Sequence, residues 1–138
     1  MNASGCEGLL DYLRDDDEGL WFKLRSSLDW DEASYRRMVQ ALVDCLEATE
    51  DAEQVPRALA RMFVFYVPGI LGMMSRPDFL QFNAGELDPE EARAHFAPRM
   101  QLLEDLSLWF SQGTRPFGDE RLSVGDWSPT FRRRNPGG

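Results

Sequence analysis

Apolar residues recur along most of the chain at spacings of three and four, the repeat of a single helical face. The pattern is clearest where Tyr35, Met38, Val39, Leu42, Val43 and Leu46 follow Asp31 as N-cap and Glu32 as a first-turn acid. It predicts a helix over 31–49. A second stripe, Val55, Leu59, Met62, Phe63, Tyr66, Val67 and Ile70, opens at Pro56, where a missing N–H costs nothing. Met62–Met74 is apolar nearly all round, which predicts burial in the middle of the domain. Pro68 should kink or break this helix, which should stop before Pro77. The third strong helix starts at Asp88-Pro89-Glu90-Glu91 and carries Ala92, Phe96, Met100, Leu103, Leu106, Trp109 and Phe110. Pro98 should bend it, and Gly113 should close it.

The weaker segments complete the architecture. Leu9, Leu10 and Leu13 suggest a short first helix, ended by Asp15-Asp16-Asp17-Glu18, whose mutual repulsion favours a solvated loop. Leu20, Trp21, Phe22, Leu24 and Leu28 follow, helical by preference. Phe79 to Leu87 ends at an Asn83-Ala84-Gly85 turn signal and reads as a loop or short extended piece. Residues 114–138 form an irregular tail, with Leu122, Val124, Trp127 and Phe131 available to clamp it and Arg132 to Gly138 expected to fray. The expected fold is all-α: one small bundle of about four helices over 1–113, kinked at Pro68 and Pro98, followed by the tail.

Composition narrows the class of function. A chain of 138 residues with 43% apolar and 28% charged residues is one ordinary soluble domain. Its net charge of −9 is the wrong sign for binding a phosphate backbone, so no nucleic-acid partner is expected. Residues 1–55 hold fourteen acids and five bases, so the net negative charge sits in the first two fifths of the chain. Such a field attracts cationic partners, or simply keeps a small protein soluble. No basic start precedes an apolar stretch, and Pro68, Gly69 and Gly72 interrupt the longest apolar run. Neither export nor membrane insertion is therefore expected. Cys6 and Cys45 make no framework, so reduced thiols in a cytoplasm are the expectation.

The chemistry-bearing residues are sparse. One His and two Cys, spread as Cys6, Cys45 and His95, do not supply a metal site, and no metal or cofactor is expected. Cys45 lies on an apolar helix edge near Asp44 and Glu47, which favours the thiol over a reactive thiolate. No phosphate loop or nucleophile elbow occurs. The acid pairs Asp29/Asp31, Glu86/Asp88 and Glu104/Asp105 fall at predicted helix starts or on faces expected to be exposed, where capping and solvation account for them. An enzyme is not expected. Trp21, Phe22, Trp30, Phe79, Phe82, Phe117 and Trp127 lie outside the strong stripes. They either anchor a protein partner or cap the ends of the helical body.

Three segments taken together carry a resemblance. They are Leu28-Asp29-Trp30-Asp31-Glu32-Ala33-Ser34-Tyr35, the aromatic run Met62-Phe63-Val64-Phe65-Tyr66, and the stretch from His95 to Gly113. That stretch contains Arg99-Met100-Gln101-Leu102-Leu103-Glu104 and Trp109-Phe110-Ser111-Gln112-Gly113, and Pro116-Phe117 follow it. The layout resembles a family of small bacterial immunity proteins from polymorphic-toxin and contact-dependent inhibition systems, over about residues 10–118. The resemblance implies a cytoplasmic, non-catalytic protein that binds and neutralises a cognate toxin in a tight 1:1 complex. A basic toxin would suit the acidic segment, with Asp15, Asp16, Asp17, Glu18, Trp21, Asp29, Trp30 and Asp31 as candidate contacts. The competing reading is an acidic helical chaperone or adaptor for a secreted effector.

Overall fold

The computed structural model describes residues 3–14, 19–115, 118, 123–124 and 127–131. The protein is mainly α-helical, with six helices among the described residues. After a 3-10 turn at Ala3–Cys6 come α1 (Glu7–Arg14), α2 (Leu20–Ser27) and α3 (Glu32–Ala48). Then follow α4 (Arg57–Met74), α5 (Pro77–Asn83) and α6 (Pro89–Gln112). The class matches the apolar periodicity, while the helices number six where about four were expected.

Helix α3 is the spine. Its stripe is buried from Ser34 to Leu46, and the 3-10 turn, α1, α2 and α6 all pack on it. Asp31 caps it as expected, accepting from the Ser34 N–H at 3.1 Å. The start of α6 also follows the sequence: Asp88 and Glu91 form a reciprocal capping box, and Gly113 closes the helix at φ 83°. Helix α6 runs unbroken through Pro98. Arg99 Nη1 donates to the His95 carbonyl at 2.7 Å, supplying a side-chain donor in the turn that the proline disturbs.

Three expectations are overturned. The stretch Phe79 to Leu87 is not a loop: α5 covers its first half, with Pro77 in the first turn and Asp78 as the acid beside it. Pro77 therefore starts a helix as well as ending the previous one. Met62–Met74 is not buried all round, because Val64 is 74% and Phe65 54% exposed. Of the two outcomes expected at Pro68, a kink or a break, the break does not occur: Met62–Tyr66 opens into a π-helical turn immediately before it, and the helix continues to Met74. The cysteines are not thiols: Cys6 and Cys45 form a buried disulfide joining the 3-10 turn to α3.

Rings lock the far end of the bundle. Trp30 packs against Tyr35, Phe79 and Phe96 with centroids 5.0, 6.0 and 5.4 Å away. Asn83 pins the α2–α3 link: its Nδ2 donates to the Leu28 carbonyl at 2.9 Å and its Oδ1 accepts from the Trp30 N–H at 3.0 Å. The described part of the tail lies along α3 and α6. Gln40 pairs with both backbone groups of Thr130, Trp127 sits edge-on to Tyr35, and Phe131 stacks on Trp109. Leu122 and residues 132–138 lie outside the described residues.

Candidate functional site

The π turn borders a cleft between α1, α2 and α4. Tyr12, Trp21, Phe22, Phe65 and Tyr66 wall it, Met62 and Ile70 contribute to its lining, and it encloses about 160 Å³. That volume suits one apolar side chain of a partner. Each wall has a local cause. The Tyr12 hydroxyl accepts from the Leu20 N–H at 2.9 Å and lies 3.4 Å from the Ser34 hydroxyl, tying α1 to the start of α2. Burial pushes the Tyr12 phenol up, so it stays a neutral group. The Trp21 ring lies directly over Gly69, where a Cβ would come within 2.7 Å of its six-membered ring. Trp21 then meets Phe65 edge-on at 5.9 Å, and the Arg25 guanidinium stands 5.9 Å from its ring centre. A wide turn, a proline and a glycine in succession thus let α4 accept a tryptophan against its backbone.

The residues expected from sequence divide into groups. Asp15, Asp16, Asp17 and Glu18 lie outside the described residues, but Leu13 and Gly19, on either side of them in sequence, both line the cleft. Trp21 is a wall of the cleft. Asp29 is exposed at the α2–α3 link. Asp31 caps α3 and is ion-paired with Lys23; the Lys23 hydrogen bond is the main reason its carboxyl sits below the usual range. Trp30 belongs to the core ring cluster, and its Nε1 donates to Glu32 at 2.8 Å.

Sequence reasoning missed Val64, Phe65 and the pairing of Glu32 with Arg99. Glu32 accepts two hydrogen bonds from Arg99, at 2.9 and 3.0 Å, and one each from Trp30 and Arg36. Burial would raise its carboxyl, but these donors outweigh that effect and hold it at about 2. Tyr35 completes the network by donating to the Arg99 carbonyl at 2.9 Å. Its donors and acceptors satisfy one another, so the network serves to join α3 to α6.

Elsewhere, the constellations considered for chemistry do not converge. Cys45 is bonded to Cys6, and His95 is exposed on α6 with its ring edge-on to Phe96. Partial burial, then the Arg99 charge, lower the His95 imidazole. Among the described residues, no cluster of His, Cys, Asp and Glu has metal-binding geometry. No protein-family model, curated protein or solved structure matches this chain.

Proposed function

We propose that this chain is an immunity-type protein, which binds a cognate toxin and neutralises it by tight contact without performing a reaction. One observation carries the reading: an aromatic cleft sized for a single side chain, lined by Leu13 and Gly19, the described residues nearest in sequence to a run of four acids. The acids attract a basic partner and speed encounter, and the anchor in the cleft slows release. Trp21, Phe22 and Phe65 are the side chains on which that release depends. The family resemblance over about residues 10–118 supports the same conclusion.

The partner is basic near its contact surface and binds 1:1. A disulfide persists in oxidising surroundings and is reduced in a cytosol. In the cytoplasm, where we place the activity, burial of Cys6 and Cys45 is what would keep their bond from reductants. Alkylation of the chain as it leaves the cell distinguishes the two forms.

The test is capture of a partner from the source organism, at low and high salt, followed by dissociation kinetics. A single basic protein, bound 1:1 and inhibited, is the expected result. Trp21→Ala or Phe65→Ala should then speed dissociation by roughly tenfold or more, as loss of a buried aromatic anchor does. Retention of many unrelated apolar segments, with little salt dependence, would make the chain a chaperone instead.

A further inference from the structure

Helix α4 is strongly apolar, yet one whole side of it faces solvent. Over Arg57–Met74 the mean hydropathy is 1.3, while 33% of the residues are buried. The buried side is Leu59, Met62, Phe63, Val67, Ile70 and Met74. The outer line is Arg57, Arg61, Val64, Phe65, Pro68 and Gly72, all exposed. Exposed apolar area of this kind marks an interaction surface.

Charge identifies the occupant. From Gln54 to Pro77 there is no Asp or Glu, and the three ionised side chains are Arg57, Arg61 and Arg76. From Gly19 to Leu28, across α2, there are Lys23 and Arg25 and again no acid. Among the described residues, Arg25, Arg57 and Arg61 are in no ion pair. In a chain of net charge −9, this face has the opposite sign to the rest.

We propose that α4 docks lengthwise on the surface of an anionic lipid bilayer. Val64, Phe65 and Pro68 enter the boundary between headgroups and acyl chains, and Arg57, Arg61 and Arg25 stay at the phosphates. The helix lies on the bilayer and does not cross it, because its other side is core. A lipid surface fits better than a protein partner because the outer line of α4, from Arg57 to Gly72, offers no hydroxyl, amide side chain or carboxylate. A protein interface uses such groups for its hydrogen-bonded rim. The lipid face meets the cleft at Phe65 and Arg25, but Arg57, Arg61, Val64 and Pro68 do not line it, so variants at those four positions test lipid docking separately from toxin binding.

The experiment is sedimentation of the full chain with vesicles of phosphatidylcholine alone, and of phosphatidylcholine with about one third phosphatidylglycerol. Binding to the mixed vesicles that weakens with salt, and little binding to the neutral ones, is expected. The double reversal Arg57→Glu/Arg61→Glu should weaken binding at least about twenty-five-fold, since each cation near an anionic surface contributes a factor of about five. Val64→Asp should cost about tenfold by removing apolar contact. Circular dichroism checks that these exposed substitutions leave the fold intact. Failure to bind mixed vesicles at low salt overturns the proposal, as does equal binding by the double reversal. If the wild type ignores vesicles while these variants lose a protein partner, the face is a protein interface and the lipid assignment is wrong.

Discussion

Gly69 and Trp21 make one steric unit, and a double-mutant cycle tests it. A Cβ at 69 would stand 2.7 Å from two Trp21 ring carbons, well inside the 3.4–4 Å of ordinary contact. In a helix interior, Gly→Ala alone is worth about 1 kcal/mol of added stability. Overpacking costs about 1–3 kcal/mol, so a central value of about 2 outweighs the helix gain. Gly69→Ala should therefore destabilise the native chain by about 1 kcal/mol. With Trp21→Ala already in place there is nothing to strike, and the same change should stabilise by about 1 kcal/mol. The coupling between the sites is then about 2 kcal/mol, large for a pair on different helices. Urea midpoints of the four proteins measure it, and tryptophan emission should shift to the red in Gly69→Ala as Trp21 is displaced. Equal stabilisation in both backgrounds would refute the close seating of Trp21 on α4, and with it the shape assigned to the cleft.

Four other consequences are open to measurement. The Cys6–Cys45 bond closes a loop across a separation of 39 residues; by loop-closure entropy it should contribute about 4 kcal/mol, read as the difference in urea stability between oxidised chain and Cys6→Ser/Cys45→Ser. Glu32→Gln leaves the buried Arg99 guanidinium without its charge partner and should cost about 3 kcal/mol in the same assay. Because the Glu32 carboxyl is held at about 2 against an ordinary 4.5, its contribution is complete above about pH 4.5 and is lost as pH falls through about 2; discounted for a side chain that is 32% exposed, this is about 2 kcal/mol, and the acid limb of the stability curve should flatten by that amount in Glu32→Gln. Neutralising Asp15, Asp16, Asp17 and Glu18 together should slow capture of a basic partner by about tenfold while leaving dissociation unchanged, measured by stopped flow; a change confined to dissociation would place the acids in the interface instead.

What could be read from sequence was local. Asp31, Asp88, Glu91 and Gly113 act through atoms three or four residues away, so their pattern fixed both ends of α6 and the start of α3. Helix α5 was missed because it is only seven residues long, and Pro77 was read as a stop when its ring equally suits a start. The exposed face of α4 was missed for a different reason. An unbroken apolar run marks two sides as hydrophobic but does not tell which side meets the core, and here the body covers only one. Glu32 meets Arg99 across 67 positions and Cys6 meets Cys45 across 39; no periodicity encodes contacts that depend on how α3 is placed against its neighbours. Trp21 was noticed as lying outside the strong stripes, but only Gly69 explains where it rests.

The distribution of charge and the position of the cleft belong to one arrangement. A helix as apolar as α4, bare on one side and free of carboxylates, would make a small protein self-associate unless charge elsewhere kept it dispersed. The fourteen acids of residues 1–55 supply that charge without placing any on α4 or α2. The cleft sits where the two regions meet, with Tyr12 and Leu13 of α1 on one side and Met62, Phe65 and Tyr66 of the π turn on the other. If the partner is basic, as we propose, the acids of residues 1–55 would set its encounter rate and the aromatic walls its release. On the outer line of α4, Phe65 is shared with the cleft, while Arg57, Arg61, Val64 and Pro68 lie outside it, and among the described residues the two arginines are in no ion pair. Because Phe65 belongs to both, the protein anchor and the lipid-facing strip proposed for α4 should compete, and a bound partner should weaken docking on vesicles.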